Sequence, residues 1–371
     1  MNPYIRFFFL GVLSYFGGIF GNALTINAFS TLLGFGSCFS YVFIRSFPIF
    51  AIYFLLMIIT LYVSMPVFKK LYYLFFLAIA WYIHSVSAYL IYSFLNLFIT
   101  IPNIINLAML LIIGTGLLIQ GIYSESHTIY EKINLKCPKL KGNVKFAHLS
   151  DMHLGVMYGR EFVQKLVTMI IKQNVDFVCI TGDIVDGNIR MTRDMIEPFE
   201  QLKCPIYFVS GNHEEYTWKK EALQIIDSTY IQRIVNKIIN YDNKLNIIGL
   251  DYVKKTEVAL EQLKQLLGNK MFENSQDERP YILLNHVPIL NAKELKDFDI
   301  FLFLCGHYHG GHFFPFTLLQ LFRNRFIFEG LYNYENKFYV YCNSGQATSG
   351  PCVRSLSKSQ IGIITLEGTS I

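Results

Sequence analysis

The chain reads as an α/β domain with a mixed sheet, preceded by an all-α transmembrane bundle of about four helices. Three observations predict this. Residues 1–124 carry only four charges (Arg6, Arg45, Lys69 and Lys70) and no Asp or Glu. The remaining 28 Lys/Arg face 27 Asp/Glu, an ordinary soluble balance. Beyond Ser124 short apolar runs alternate with amphipathic stretches of helical length. The high apolar share (53%) and low charged share (16%) of the 371 residues therefore belong to one segment. A soluble monomer is excluded. So is a nucleic-acid partner bound through bulk charge, because the net +5 is mostly membrane flank.

A spanning helix needs roughly 20 apolar residues to cross about 30 Å of hydrocarbon. Four runs meet this: Phe7 to about Leu33, Phe47–Val67, Leu71–Leu97 and Ile104–Ile122. They define a transmembrane domain over 1–123, a linker with a first strand over 124–143, and a catalytic domain over 144–371. With four spans, Arg6, Lys69, Lys70, Lys132, Lys136, Lys139, Lys141 and Lys145 share one side, against Arg45 alone. The positive-inside rule then places the N-terminus and the soluble domain in the cytoplasm, on a multi-pass protein of the inner membrane. His84 is the ionisable group well inside a span. No carboxylate lies in residues 1–123 to build a relay with it, so it reads as a neutral, hydrogen-bonded histidine. Seven cysteines, an odd number without a Cys-x-x-Cys pair, read as buried reduced thiols.

In the second half the spacing predicts strands over Thr128–Leu135, Val144–Ser150, Phe177–Thr181, Ile206–Ser210, Leu245–Leu250, Tyr281–Asn285 and Ile300–Cys305. Late strands follow at Phe326–Glu329, Lys337–Tyr341 and Ile361–Thr365. Helices fall near Arg160–Gln173, Met191–Leu202, Lys219–Ile226 and Val258–Leu267. What ends each strand is informative. The first catalytic-domain strand ends in Asp151-Met152-His153, the second in Gly182-Asp183 and the third in Gly211-Asn212-His213-Glu214. Later ones end in His286 and in Gly306-His307-Tyr308-His309. Ligands bind at the carboxyl ends of strands in open α/β sheets. Five strand ends thus deliver Asp, His, Asp, Asn and three more His to one edge. Carboxylate, amide oxygen and imidazole suit borderline divalent metals, and an aspartate between two ions bridges them. Each piece alone is weak; five in this order are not.

This series resembles the calcineurin-like metallophosphoesterase family over about residues 128–367. Gly310-Gly311, Pro315 and Asn343-Ser344-Gly345 are similar to its membrane-associated bacterial branch of broad phosphodiesterases and UDP-2,3-diacylglucosamine pyrophosphatases. The resemblance implies a four-layer α/β/β/α domain holding two divalent ions, Mn²⁺ first, with Fe or Zn as alternatives. It assigns Asp151, His153 and His309 to one ion, Asn212, His286 and His307 to the other, and Asp183 to both. His213 would contact the phosphoryl oxygens or protonate the leaving oxygen, and Asp186 would orient or cap. His312 stands where close relatives often carry Gln, a rim position that either touches substrate or is neutral.

The implied activity is hydrolysis of a phosphodiester or pyrophosphate in a membrane lipid or lipid precursor, such as UDP-2,3-diacylglucosamine. The alternative is a tethered phosphodiesterase for soluble or cyclic nucleotides. Phe313–Phe328, with ten large apolar residues and Arg323 and Arg325, bears on that choice. It either lies in the membrane interface, its arginines on a diphosphate or headgroup, or packs under the sheet or against the membrane half. A transporter or scaffold is disfavoured, because the presumptive ligand set is complete and no membrane carboxylate offers ion coupling.

Overall fold

The computed structural model describes residues 66–371 apart from 188, 216–218, 269–278, 289–294, 297, 324–327 and 369–371, together with 44 and 55. The first apolar run and nearly all of the second lie outside these residues, and with them half of the expected four-helix bundle. Two helices are described in this region, α1 (Pro66–Leu95) and α2 (Asn103–Ser126). Their stretches Lys69–Leu95 and Ala108–Ser126 are long and apolar enough to cross a membrane. α2 continues to Ser126, past the boundary at 123, and so takes Glu125 into the helix.

The chain divides into two compact units. One is helical and comprises the chain up to Ser126 with His312–Leu318 and Ser349–Leu356; the other holds His127–Gly311, Leu319–Thr348 and Ser357–Ile371. Within the helical unit Phe313 and Val353 pack on Ala80, with Leu77, Ile83, Leu118 and Ile122 around them. His84 is fully buried, its Nε2 2.8 Å from the Ser355 hydroxyl. That agrees with a hydrogen-bonded histidine, though the partner comes from 271 residues away.

The second unit holds two six-stranded sheets. The strands of the first sheet are β1 (Ile129–Cys137), β2 (Asn143–Leu149), β3 (Phe177–Thr181), β4 (Ile206–Val209), β5 (Ile231–Arg233) and β12 (Gln360–Gly368). They lie in the order β1-β12-β2-β3-β4-β5. The second sheet runs β10-β11-β9-β8-β7-β6. It is built from β6 (Lys237–Tyr241), β7 (Leu245–Gly249), β8 (Tyr281–Leu284), β9 (Ile300–Cys305), β10 (Gly330–Tyr334) and β11 (Phe338–Cys342). β2, β3, β4 and β5 are mutually parallel, as are β7, β8, β9 and β11. Such strands are covered on both faces and read as continuous apolar runs; β3, β4, β7 and β8 are buried at every position.

Alternation then sorts each strand between two cores. Phe146, Phe177, Cys179 and Val209 of one sheet meet Ile247, Ile282, Leu302 and Tyr341 of the other. On the outer face of the first sheet, Ala147, Val178, Ile180 and Phe208 pack against α3 (Arg160–Ile171) through Val163, Leu166, Val167 and Ile170. On the outer face of the second, Leu283 and Phe303 pack against α6 (Thr256–Leu267) through Leu260 and Leu263. The layering is helix, sheet, sheet, helix. Two short helices, α4 (Arg193–Ile196) and α5 (Lys219–Asp227), lie between strands of the first sheet.

Three differences from the sequence reading have physical causes. The strand read over Thr128–Leu135 extends to Cys137, since β1 pairs along its full length with β12. The strand read at Phe326–Glu329 lies partly outside the described residues; a strand is described at Gly330–Tyr334, because the turn Tyr334–Lys337 sets the hairpin register. Its central residues Glu335 and Asn336 both take positive φ (49° and 58°), the geometry that matches strand twist. β5 and β6 went unread, being a three-residue strand and a partly exposed edge strand without a core-like run.

Phe146 stacks on Phe177 with centroids 4.8 Å apart between the sheets. Phe146→Ala is expected to destabilise the α/β unit by about 3–5 kcal/mol in equilibrium denaturant unfolding, and a loss under about 1 kcal/mol would contradict this packing.

Candidate active site

Parallel strands end on a common edge, and the residues that follow them must turn sharply within one or two positions. Asp151, His153, Asp183, His307 and His309 all adopt positive φ, between 44° and 76°. Such conformations cost of order 1–3 kcal/mol each for residues with a Cβ and persist where surrounding bonds over-determine them. Those bonds are present. The loop after β2 lies along the loop after β3 through Asp151 N–H to Gly182 O (3.1 Å), His153 N–H to Asp183 O (3.0 Å) and Leu154 N–H to Ile184 O (2.7 Å). The His213 N–H donates to Asp183 Oδ1 (2.8 Å) and the His307 N–H to both Asp151 oxygens. A Cβ at Gly211 would run into the Asp183 carboxylate, and one at Gly306 into Ser150 and Asp151. Both positions demand glycine.

The histidines are fixed by their outward nitrogens. A carbonyl can only accept, so a nitrogen bonded to one carries the proton. His286 Nδ1–H donates to Thr181 O (2.8 Å), His309 Nδ1–H to Ala347 O (3.2 Å) and His213 Nδ1–H to Asp186 O (2.8 Å). His153 Nδ1 lies 3.3 Å from the Asp186 carboxylate. In the neutral imidazoles of His286, His309 and His213 the Nε2 is then a lone pair, the arrangement that orients metal-ligating histidines. The Asp186 carboxylate thus lies against two rings, those of His153 and His213.

Inside, the donors converge. One oxygen or nitrogen from each of Asp151, His153 and His309 lies within 4.8 Å of the others. The same holds for Asp151, Asp183 and His286, and for His153, Asp183 and His213. His153 Nε2 and His309 Nε2 are 3.1 Å apart. His286 Nε2 is 3.0 Å from Asn212 Oδ1 and 3.2 Å from His307 Nδ1. Lone pairs and carboxylates this close repel unless a cation lies among them. Asp183 belongs to two of these groups together with either Asp151 or His153, as a shared ligand would. The donor set is oxygen and nitrogen throughout, and it fits two divalent ions.

The electrostatics agree. Burial raises the Asp151 carboxyl, and the neighbouring Asp183 charge adds to the rise. Burial alone would lower the His286 imidazole, but the Asp183 and Asp151 carboxylates outweigh it and lift it to about 10. The enclosure draws in positive charge. Burial lowers His307 to about 3, with His286 adding to the fall, which leaves it an uncharged donor.

Glu214 is the residue whose role went unread. It is fully buried, and its carboxylate accepts the N–H groups of Gly211 (2.6 Å), Asp183 (2.9 Å) and Val185 (3.2 Å). It ties the third ligand loop to the second. The only sequence signal was an acid following Gly-Asn-His, which equally suits a helix cap. The residues set at the rim fare differently. Arg325 and the Arg323 side chain lie outside the described residues. His312 belongs to the helical unit, where its Nε2 lies 2.9 Å from Pro351 O. The Phe313–Phe328 segment divides: Phe313 is buried in the helical unit. Phe316, Leu318 and Leu319, in α7 (Phe316–Arg323), are 43%, 44% and 58% exposed.

Comparison with known proteins adds independent support. A family model described as calcineurin-like phosphoesterase matches residues 144–328. An uncharacterized metallophosphoesterase of Campylobacter jejuni is 30% identical over 302 residues, 80% of this chain and 79% of its own. That span exceeds the chain from residue 144 onward, so the likeness reaches into the helical half. A zebrafish (Danio rerio) transmembrane protein with metallophosphoesterase domain is 32% identical over 62% of this chain, which spans only 55% of that relative. An uncharacterized metallophosphoesterase of Aquifex aeolicus is 29% identical, covering 67% of this chain and 96% of its own.

Replacing the shared carboxylate tests the geometry. Asp183→Asn is expected to lose most bound metal by elemental analysis after desalting, and retention of two ions per chain would contradict a bridging role.

Proposed function

The chain belongs to the calcineurin-like phosphoesterase family, and we propose that it cleaves a phosphodiester or pyrophosphate bond in a membrane lipid or lipid precursor while held in the membrane by its helices. Metal-dependent phosphoester hydrolysis follows from the family and the donor clusters. The lipid substrate, of the UDP-2,3-diacylglucosamine kind, is the further step. One observation carries it: α7 presents Phe316, Leu318 and Leu319 to the outside within ten residues of the ligand His309. An apolar surface so near the ligands in sequence suits a substrate with acyl chains. Membrane attachment is supported by α1 and α2, which expose Leu74, Leu90, Phe94, Ile104, Ile112 and Ile119. The bias of Lys and Arg supports a cytoplasmic active site on an inner-membrane protein of several spans.

When bound, two divalent cations supply Lewis-acid polarisation of the phosphoryl oxygens and a more acidic water. Asp151, His153 and His309 would hold one, Asn212, His286 and His307 the other, with Asp183 shared. Mn²⁺ is the ion to test first, since oxygen and nitrogen ligands suit manganese, iron and zinc alike. The chain's own chemistry centres on His213. Its Nδ1–H is held by the Asp186 carbonyl, and the Asp186 carboxylate lies 3.5 Å away. Burial lowers the His213 imidazole and the Asp183 and Asp186 carboxylates act against that fall; when protonated, its Nε2–H would meet a phosphoryl oxygen or pass its proton to the leaving oxygen.

His213→Ala is expected to keep two metal ions while turnover of bis-p-nitrophenyl phosphate falls about 10²–10⁴-fold, and normal turnover would remove His213 from the chemistry. For the substrate, the full chain in detergent is assayed on dispersed UDP-2,3-diacylglucosamine and on cyclic nucleotides. Cleavage of the lipid in preference supports the proposal; preference for the nucleotides supports a tethered nucleotide phosphodiesterase instead.

A further inference from the structure

The helical unit contains a buried ion pair that neither catalysis nor membrane attachment requires. Arg354 is fully buried and its Nε lies 2.7 Å from Glu125 Oε2, itself only 8% exposed at the end of α2. Around the pair, segment Ser349–Leu356 is fastened to the helices at several points. Arg354 N–H donates to Gly121 O (2.9 Å) and Leu356 N–H to Gln120 Oε1 (3.1 Å). The Ser355 hydroxyl meets His84 Nε2 at 2.8 Å and accepts the Phe314 N–H at 2.9 Å. Gly121 leaves no slack, for a Cβ there would press on Val353, Arg354 and Ser355.

Both ends of this segment continue into residues that hold one metal ligand. Ala347, two residues before it, accepts the His309 Nδ1–H through its carbonyl (3.2 Å), and its own N–H donates to Asp151 O (3.0 Å). Ser357, the residue directly after it, donates its hydroxyl to the His309 carbonyl (2.8 Å). The second fastened segment, His312–Leu318, begins three residues after His309. His309 is thus held at its ring and its backbone by residues that border the fastened segment.

We propose that Arg354 and Glu125 are positioning residues of the metal site, which fix segment 349–356 on the helices and thereby set His309. Taking two charges out of water is costly, and apolar residues of similar volume would fill the space as well. What an ion pair adds is a single register, because any slip leaves a buried charge without its partner. This inference rests on the two-ion reading of the site and is independent of which phosphoester is cleaved.

The test uses the full chain in detergent, loaded with Mn²⁺, as parent, Arg354→Met, Glu125→Gln and the exchanged pair Glu125→Arg/Arg354→Glu. Ions bound per chain and the exchange-coupled Mn–Mn electron paramagnetic resonance signal are measured beside the Mn²⁺ dependence of bis-p-nitrophenyl phosphate turnover. The single variants are expected to need about tenfold more Mn²⁺ for the coupled signal, with turnover recovering at high Mn²⁺ and KM unchanged. The exchanged pair should recover part of the loss. Lowered thermal stability with an unchanged Mn²⁺ midpoint in both single variants would overturn the proposal. Should those variants fail to fold, Ser355→Ala, which removes only the hydroxyl between His84 and Phe314, reads the same midpoint, and a parental value there overturns it equally. A parent that never shows a coupled signal would instead contradict the two-ion reading itself.

Discussion

Everything at the strand edge depends on negative charge and nitrogen lone pairs held closer together than they would lie without a cation. Asp151 and Asp183 share an enclosed space with five imidazoles, and two Nε2 atoms face each other at 3.1 Å. The backbone accepts left-handed conformations at five of these residues to achieve it. Such an assembly persists because its supports lie outside it: carbonyls of Thr181, Asp186 and Ala347 hold the rings, and the Glu214 carboxylate gathers three N–H groups beneath the loops. The packed sheets supply the stiffness. Val178 and Ile180 face the helices while Phe177 and Cys179 face the opposing sheet, so strand ends cannot drift apart without opening a core.

The helical unit does not follow the change in composition. It takes in His312–Leu318 and Ser349–Leu356, which belong by sequence to the catalytic half. Glu125 and Arg354 meet in its interior although the sequence between them holds the whole site. A boundary drawn at residue 123 follows the loss of hydrophobicity, whereas the folded unit follows packing. For the same reason His84, isolated among apolar neighbours in sequence, has a hydroxyl partner in the fold.

Much of the second unit was legible because its strands are buried on both faces. Runs such as Phe177–Thr181 and Ile300–Cys305 are apolar but for Thr181 and bounded by polar turns, so their limits coincide with those seen. The residues whose donors converge were legible for a related reason: a polar side chain at a strand end follows an apolar run directly. Glu214 and Ser357 were not, since their partners are backbone groups that no residue type announces. β10 went unread because its apolar residues are interrupted by polar ones, while its pairing obeys the turn at Glu335-Asn336.

The amino-acid order by itself determined which residues reach the sheet edge and which chemistry they offer, because strand periodicity and ligand type are local properties. It also determined that one third of the chain is apolar enough to seek a membrane. Only the tertiary structure decided how the donors pair, which nitrogen of each histidine turns inward, and that Arg354 closes on Glu125. Those depend on contacts between residues tens to hundreds of positions apart, and such distances are fixed by packing rather than by spacing along the chain.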